Sequence, residues 1–199
     1  MNPLDNHRQS LILGIVLAVI LAVLLSRGFH YSDPSFARWF HIVSGVFWIG
    51  LLYYFNVAQT PALAAAAADT GGPGGAGISK YVAPRALFWF RWSALATWLG
   101  GAWLLKERFV PAFTLGAGME DPTHYFLIIG IGAWLGTIML LNVWGVIWRN
   151  QKIVLGMKPA TDEQKARARR VAGLASRVNF VLSIPMLMCM ASATHGLPF

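Results

Sequence analysis

The chain has 199 residues, of which 56% are hydrophobic and only 12% charged, with nine Trp and a mean hydropathy of +0.54. A soluble globule carries roughly 25% charged residues, so the composition excludes that class. The 16 Lys and Arg outnumber the 8 Asp and Glu, and where they fall argues for a membrane topology rather than a nucleic-acid surface.

Five segments read as spans. Residues 11–25 are apolar throughout, and 39–68, 92–105, 125–148 and 178–194 carry no Asp, Glu, Lys or Arg. Crossing a hydrocarbon core of ~30 Å takes ~20 apolar residues in a helix. The expected fold class is all-α: a polytopic membrane bundle of five transmembrane helices at about 10–26, 36–57, 86–105, 124–149 and 171–195. One domain over 1–199 is expected, because no linker separates two apolar cores.

Eight of the 16 basic residues lie between the fourth and fifth segments: Arg149, Lys152, Lys158, Lys165, Arg167, Arg169, Arg170 and Arg177. That loop reads as cytoplasmic and faces lipid headgroups. Alternation then puts the N-terminus in the cytoplasm and the C-terminus in the periplasm. Arg8, Lys80, Arg85 and Arg91 bring the inner tally to 12, against Arg27, Arg38, Lys106 and Arg108 outside. A multi-pass protein of the bacterial inner membrane is expected, with the lipid bilayer as a partner and no nucleic acid. The first segment follows Arg8 as a signal peptide would, but no A-x-A-like site follows at Ser26-Arg27-Gly28-Phe29, so a retained helix is expected.

Local signals punctuate these segments. The Ala-rich run after Thr60-Pro61 extends the second helix by some two turns until Gly71-Gly72-Pro73-Gly74-Gly75 breaks it. That cluster lacks the Lys-Ser/Thr of a phosphate loop. Asp121 or Thr123 is placed to cap the fourth helix. Thr161 with Gln164 forms a capping box that opens a basic helix leading into the fifth. Gly132 with Gly136, and the stripe Ser93-Thr97-Gly101, allow close helix approach. Trp39, Trp103, Tyr125 and Trp148 suit an interfacial belt. Pro185 should kink the fifth helix, with Ser183 near the freed carbonyl.

Chemistry is sought first among the histidines, since the topology puts His30, His41, His124 and His195 toward the outer face and only His7 inside. His41 lies in the second span, with Ser44, Gly45 and Trp48 at i+3, i+4 and i+7. Those small neighbours leave room for a flat macrocycle or a closely packed helix. His41 and His195, or His41 and His124, come from separate helices at similar depth, as bis-imidazole ligation of haem iron in a bundle requires. His30 reads as a solvated loop residue. Copper or zinc on the same histidines would lack a carboxylate or thiolate within the membrane. Met186, Met188 and Met190 read as gap fillers, and the lone Cys189 as a small buried hydrophobe. Glu107, Glu120 and Asp121 read as a solvated outer face. Toward the cytoplasm, Asn56, Arg91, Asn142 and Asn179 are either interhelical glue or a pocket of amides and a cation for a planar anion.

Four ordered runs carry a family resemblance: 41–50 (HIVSGVFWIG), 90–100 (FRWSALATWLG), 142–152 (NVWGVIWRNQK) and 177–186 (RVNFVLSIPM). Together they resemble the membrane domain of PuuD-type urate hydroxylases, the urate oxidase N-terminal family. That resemblance implies an inner-membrane redox protein that oxidises urate and passes electrons to a fused cytochrome c. The 199 residues contain no C-x-x-C-H, so a separate cytochrome c or other carrier is the expected partner. His41, Arg91, Asn142 and Asn179 enter as motif members, with no catalytic role assigned. The leading expectation is a redox protein with haem b at its outer side, oxidising urate or a similar planar substrate. The alternative is a non-catalytic accessory or structural subunit of a larger respiratory or photosynthetic membrane complex.

Overall fold

The structure, a computed structural model, describes residues 2–29 and 31–198. His30, expected to be a solvated loop residue, lies outside the described residues. Among the described residues the chain is helical and holds no strand. Five long helices are α1 (His7–Leu25), α2 (Asp33–Ala68), α3 (Ala83–Leu105), α4 (Tyr125–Val154) and α5 (Asp162–His195).

Four of them, α1, α2, α4 and α5, are long and apolar enough to cross a membrane, which marks the chain as a membrane protein. With 23 residues, α3 is ~35 Å long, but Arg85, Arg91 and its Ser, Thr, Gly and Trp residues leave it less apolar than the other four. Cα packing divides the chain into two units, one ending at Phe36 and one beginning at Ala37. The first holds α1, whose N-terminus is capped by Asn6 accepting from the Arg8 N–H.

In the second unit α4 and α5 pack closely. A Cβ at Gly132 would stand 3.0 Å from the Cβ of Cys189, so the small residue sets the approach. Nothing lies near a Cβ built at Gly136, so the expected glycine pair works through one member only. Met139, Leu140, Val143 and Ile147 of α4 join Ala175 and Met186 of α5 in the core, which Trp48, Leu52 and Phe55 of α2 and Leu87, Phe90 and Ala94 of α3 complete. Phe55 meets Phe90 edge-to-face at 5.4 Å. Within lipid, where tails are as apolar as side chains, such packing acts through van der Waals contact rather than hydrophobic transfer. The opposite faces stay open, with Val46, Leu141 and Val181 each about two-thirds exposed, as lipid-facing side chains should be.

Helix ends follow local chemistry. Thr161 accepts from the Gln164 N–H at 3.2 Å while Gln164 accepts from the Thr161 N–H at 2.9 Å, so the capping box is formed. Of the two candidate caps for α4, Asp121 is used: its carboxylate takes the N–H groups of Tyr125 and Phe126 at 2.9 and 2.8 Å, and Thr123 supports it at 3.3 Å. Past α4, Gly156 turns the chain at φ +73°, with the Met157 N–H bonded back to Lys152, a glycine stop. α2 does run on to Ala68 but passes through a π-helical turn at Tyr54–Gln59, and another, Ile78–Val82, precedes α3. Pro61 and Pro84 follow these turns closely. A proline ring displaces the carbonyl four residues back, and a widened turn accommodates that.

Candidate functional site

His41 is placed by a glycine contact. One face of α2 presents His41 and Gly45 to α3, where a Cβ at Gly45 would stand 3.6 Å from the Thr97 methyl. The imidazole lies against Gly101, where an added Cβ would come 3.0 Å from Cε1, and Gly100 faces the His41 Cα at 3.2 Å on the same measure. A closely packed helix therefore fills the room along the Nδ1–Cε1 edge of the imidazole, with Nε2 farther off at 4.0 Å on the same measure, and the stripe of small residues on α3 creates that fit. His41 Nδ1 stands 2.7 Å from the Thr97 carbonyl. A carbonyl only accepts, so the proton sits on Nδ1 and the lone pair on Nε2. A backbone carbonyl holding one ring nitrogen while the other keeps its lone pair is how proteins commonly orient a ligating histidine.

The other described histidines of this end are placed differently. His195 is the last residue of α5 and His124 precedes α4 in a left-handed conformation at φ +54°; both are exposed. Depth can be counted from the hydrogen bond between Asn56 and Ser176. His41 lies fifteen residues before Asn56 and His195 nineteen after Ser176, or ~22 and ~28 Å toward the same end. Among the described residues no three His, Cys, Asp or Glu side chains gather into a metal-binding group. Among the described histidines, His41 alone combines partial burial, a fixed ring and a defined tautomer.

The polar set of Asn56, Arg91, Asn142 and Asn179 separates into braces. Asn142 Nδ2 donates to the Ala175 carbonyl and to Asn179 Oδ1, both at 2.8 Å, and Asn179 Nδ2 donates to the Met139 carbonyl at 3.0 Å. Asn179 is fully buried. The two amides bond each other and opposing backbone, which ties α4 to α5 as interhelical glue. Asn56 donates to the Leu52 carbonyl at 2.8 Å and to Ser176 Oγ at 3.0 Å. Ser183 donates to the Phe180 carbonyl at 2.7 Å and pairs with the Tyr53 hydroxyl at 3.2 Å, so it ties α5 to α2 and bonds a carbonyl next to, not at, the Val181 carbonyl that Pro185 frees. Arg91 goes elsewhere: its guanidinium stacks 3.9 Å over Trp148 and 5.2 Å from Phe88, a cation–π clamp. The amide pair and the cation do not form one pocket.

Buried groups that sequence reasoning passed over include the indole N–H groups of Trp48 and Trp144, neither of which has a hydrogen-bond partner. Trp48 is 2% exposed. Trp144 sits in a π-helical turn, Val143–Ile147, and meets Trp92 edge-to-face at 5.2 Å. Cys189 is buried and unbridged. In the loop before α4, desolvation pushes the Asp121 carboxyl up, but the Phe126, Tyr125 and Leu127 amides and the Thr123 hydroxyl outweigh it and hold the group below the usual carboxylate range.

Residues 123–199 match the profile of a protein family described as urate oxidase N-terminal. This part of the chain therefore resembles urate oxidase N-terminal domains. It spans α4, the basic loop and α5, including Asn142, Asn179, His124 and His195, and stops short of His41 and Arg91. No curated protein and no solved structure matches the chain.

Proposed function

We propose that the chain is an inner-membrane redox protein related to the urate hydroxylases, with haem b held at its outer side and electrons passed to a separate cytochrome c. Its substrate on this reading is urate or a similarly planar molecule. α3 serves as a fifth span, supported by its length and its packing between α2 and α4, with the N-terminus cytoplasmic and the C-terminus periplasmic as the distribution of Lys and Arg directs.

The observation that carries this reading is the His41 imidazole, bonded through Nδ1 to Thr97 with its Nε2 lone pair left for a ligand. Haem bound there would supply one-electron transfer. The chain's own part is orientation: the Thr97 carbonyl fixes the tautomer and Gly100 and Gly101 fix the ring plane. His195 and His124, at the same end, are the residues that would hold the group together with His41. The test is turnover. The detergent-purified chain with urate and oxidised cytochrome c should consume urate and reduce the cytochrome, and His41→Ala should lower both rates by at least about a hundredfold. Unchanged rates in that variant would refute the assignment.

One observation favours a second reading. The amides of Asn142 and Asn179, the best-placed groups to recognise a planar anion, are committed to each other and to backbone. A chain built this way also suits a non-catalytic subunit of a larger membrane complex. Under that reading, mild-detergent native gels would show it migrating with the complex and the isolated chain would leave urate untouched.

A further inference from the structure

A groove of about 590 Å³ opens at the other end of the bundle, where the π-helical turn of α2 meets α5. Its charged wall is made by Arg169, Arg170 and Arg177. Positions 170, 173, 174 and 177 follow one another on one helix face, so Arg170 and Arg177 flank Gly173 and Leu174 about two turns apart. No carboxylate lines the groove; Asp162, at the start of the same helix, is engaged by Lys165 at 3.4 Å. Three cations on one groove wall with no carboxylate beside them favour an anion in the groove.

The opposite wall supplies hydrogen bonding. Asn56 donates its amide to Ser176 Oγ at 3.0 Å, so that oxygen accepts and its own proton is directed elsewhere. Both residues line the groove together with Thr60. At Gly173 an added Cβ would meet nothing within 4 Å, so the floor is open. From this floor an apolar track runs along α5: Leu174, Val178 and Val181 succeed one another at helical spacing and are 50%, 52% and 67% exposed. A positively charged head-sized groove that leads directly onto a lipid-facing apolar stripe has the chemistry of an amphiphile with an anionic head.

We propose that this groove is a specific site for an anionic phospholipid. The phosphate sits among Arg169, Arg170 and Arg177 with the Ser176 hydroxyl donating to it, and an acyl chain lies along Leu174, Val178 and Val181. The proposal is independent of the haem and urate readings, since it uses neither His41 nor any redox step. Anionic headgroups are drawn to basic residues next to a span; the groove adds a defined position.

Native mass spectrometry of the full chain, exchanged in detergent with equal phosphatidylglycerol and phosphatidylcholine, tests it. The wild type should retain one phosphatidylglycerol in preference to phosphatidylcholine. The variant Arg169→Gln/Arg170→Gln/Arg177→Gln should lose that retention by at least about tenfold. A charge-matched control, Arg149→Gln/Lys158→Gln/Arg167→Gln, should keep it. Gly173→Leu, which changes no charge and fills the floor, should lower retention even if the triple variant folds poorly. The proposal is overturned by equal retention in the groove and control variants, by unchanged retention in Gly173→Leu, or by displacement of the lipid with millimolar urate or inorganic phosphate, which would assign the groove to a soluble anion.

Discussion

The contact of α4 with α5 and the contact of α2 with α3 both bury polar groups between helices, yet they leave them in different states. Between α4 and α5, Asn142 and Asn179 satisfy each other and two backbone carbonyls. Between α2 and α3, the His41 ring spends one nitrogen on the Thr97 carbonyl and keeps the other. Intramembrane polar groups are costly. One whose bonding capacity is spent on its neighbours holds the bundle together, whereas the His41 ring keeps a lone pair that no neighbour uses. The two contacts thus differ in how far their polar groups are spent on the bundle itself.

Breaking the contact of α4 with α5 should cost most. Asn179→Ala leaves one Asn142 amide proton without its acceptor in the core and removes the side-chain bond to the Met139 carbonyl, and should destabilise the folded bundle by about 2–3 kcal/mol, read as a lowered midpoint in a denaturation series in detergent. If the two amides act as one unit, Asn142→Ala on that background should add far less than it does alone, with a coupling of about 0.6–1.7 kcal/mol. Strict additivity would separate the pair.

At the contact of α2 with α3, Gly100→Ala should cost about 1–2 kcal/mol, because its methyl meets the His41 backbone and the Phe40 ring. Gly136→Ala, where nothing lies within 4 Å, should be close to neutral. A smaller effect, of about 1 kcal/mol, is expected for Thr161→Ala through loss of the capping box.

The smallest effect sharpens the comparison at the solvent edge. The carboxyl of Asp121 is held below the usual range in the folded chain, so its contribution is present above the unfolded carboxylate pKa of ~3.9 and lost as pH falls through the depressed folded value. The midpoint difference between wild type and Asp121→Ala should therefore persist at neutral pH and vanish only in strong acid.

Features with short-range causes were legible in the sequence. The Thr161–Gln164 box and the extension of α2 to Ala68 rest on neighbours a few residues apart. Others depend on partners the chain brings together from afar. Gly100 matters because the His41 backbone arrives there, and the two asparagines pair across 37 residues, so spacing alone left glue and pocket both open. The π-helical turns before Pro61 and Pro84 have a local cause that periodicity misses, because a single widened turn barely disturbs an apolar pattern. The turn at Val143–Ile147 has no proline behind it. Asp121 caps α4 from four residues upstream of Tyr125, outside the usual capping position. For the site, the sequence pointed to His41 through its small neighbours on α2, while the partner that fixes the ring, Thr97, was visible only as one member of a small-residue stripe.

The most direct test of the account is the reduced-minus-oxidised absorption spectrum of the detergent-purified chain from haem-replete cells, taken for wild type and His41→Ala. The account predicts a Soret band in the wild type that shifts on dithionite reduction and disappears in the variant, with the helical content of both unchanged. A colourless wild type, or a band indifferent to the loss of His41, would contradict it.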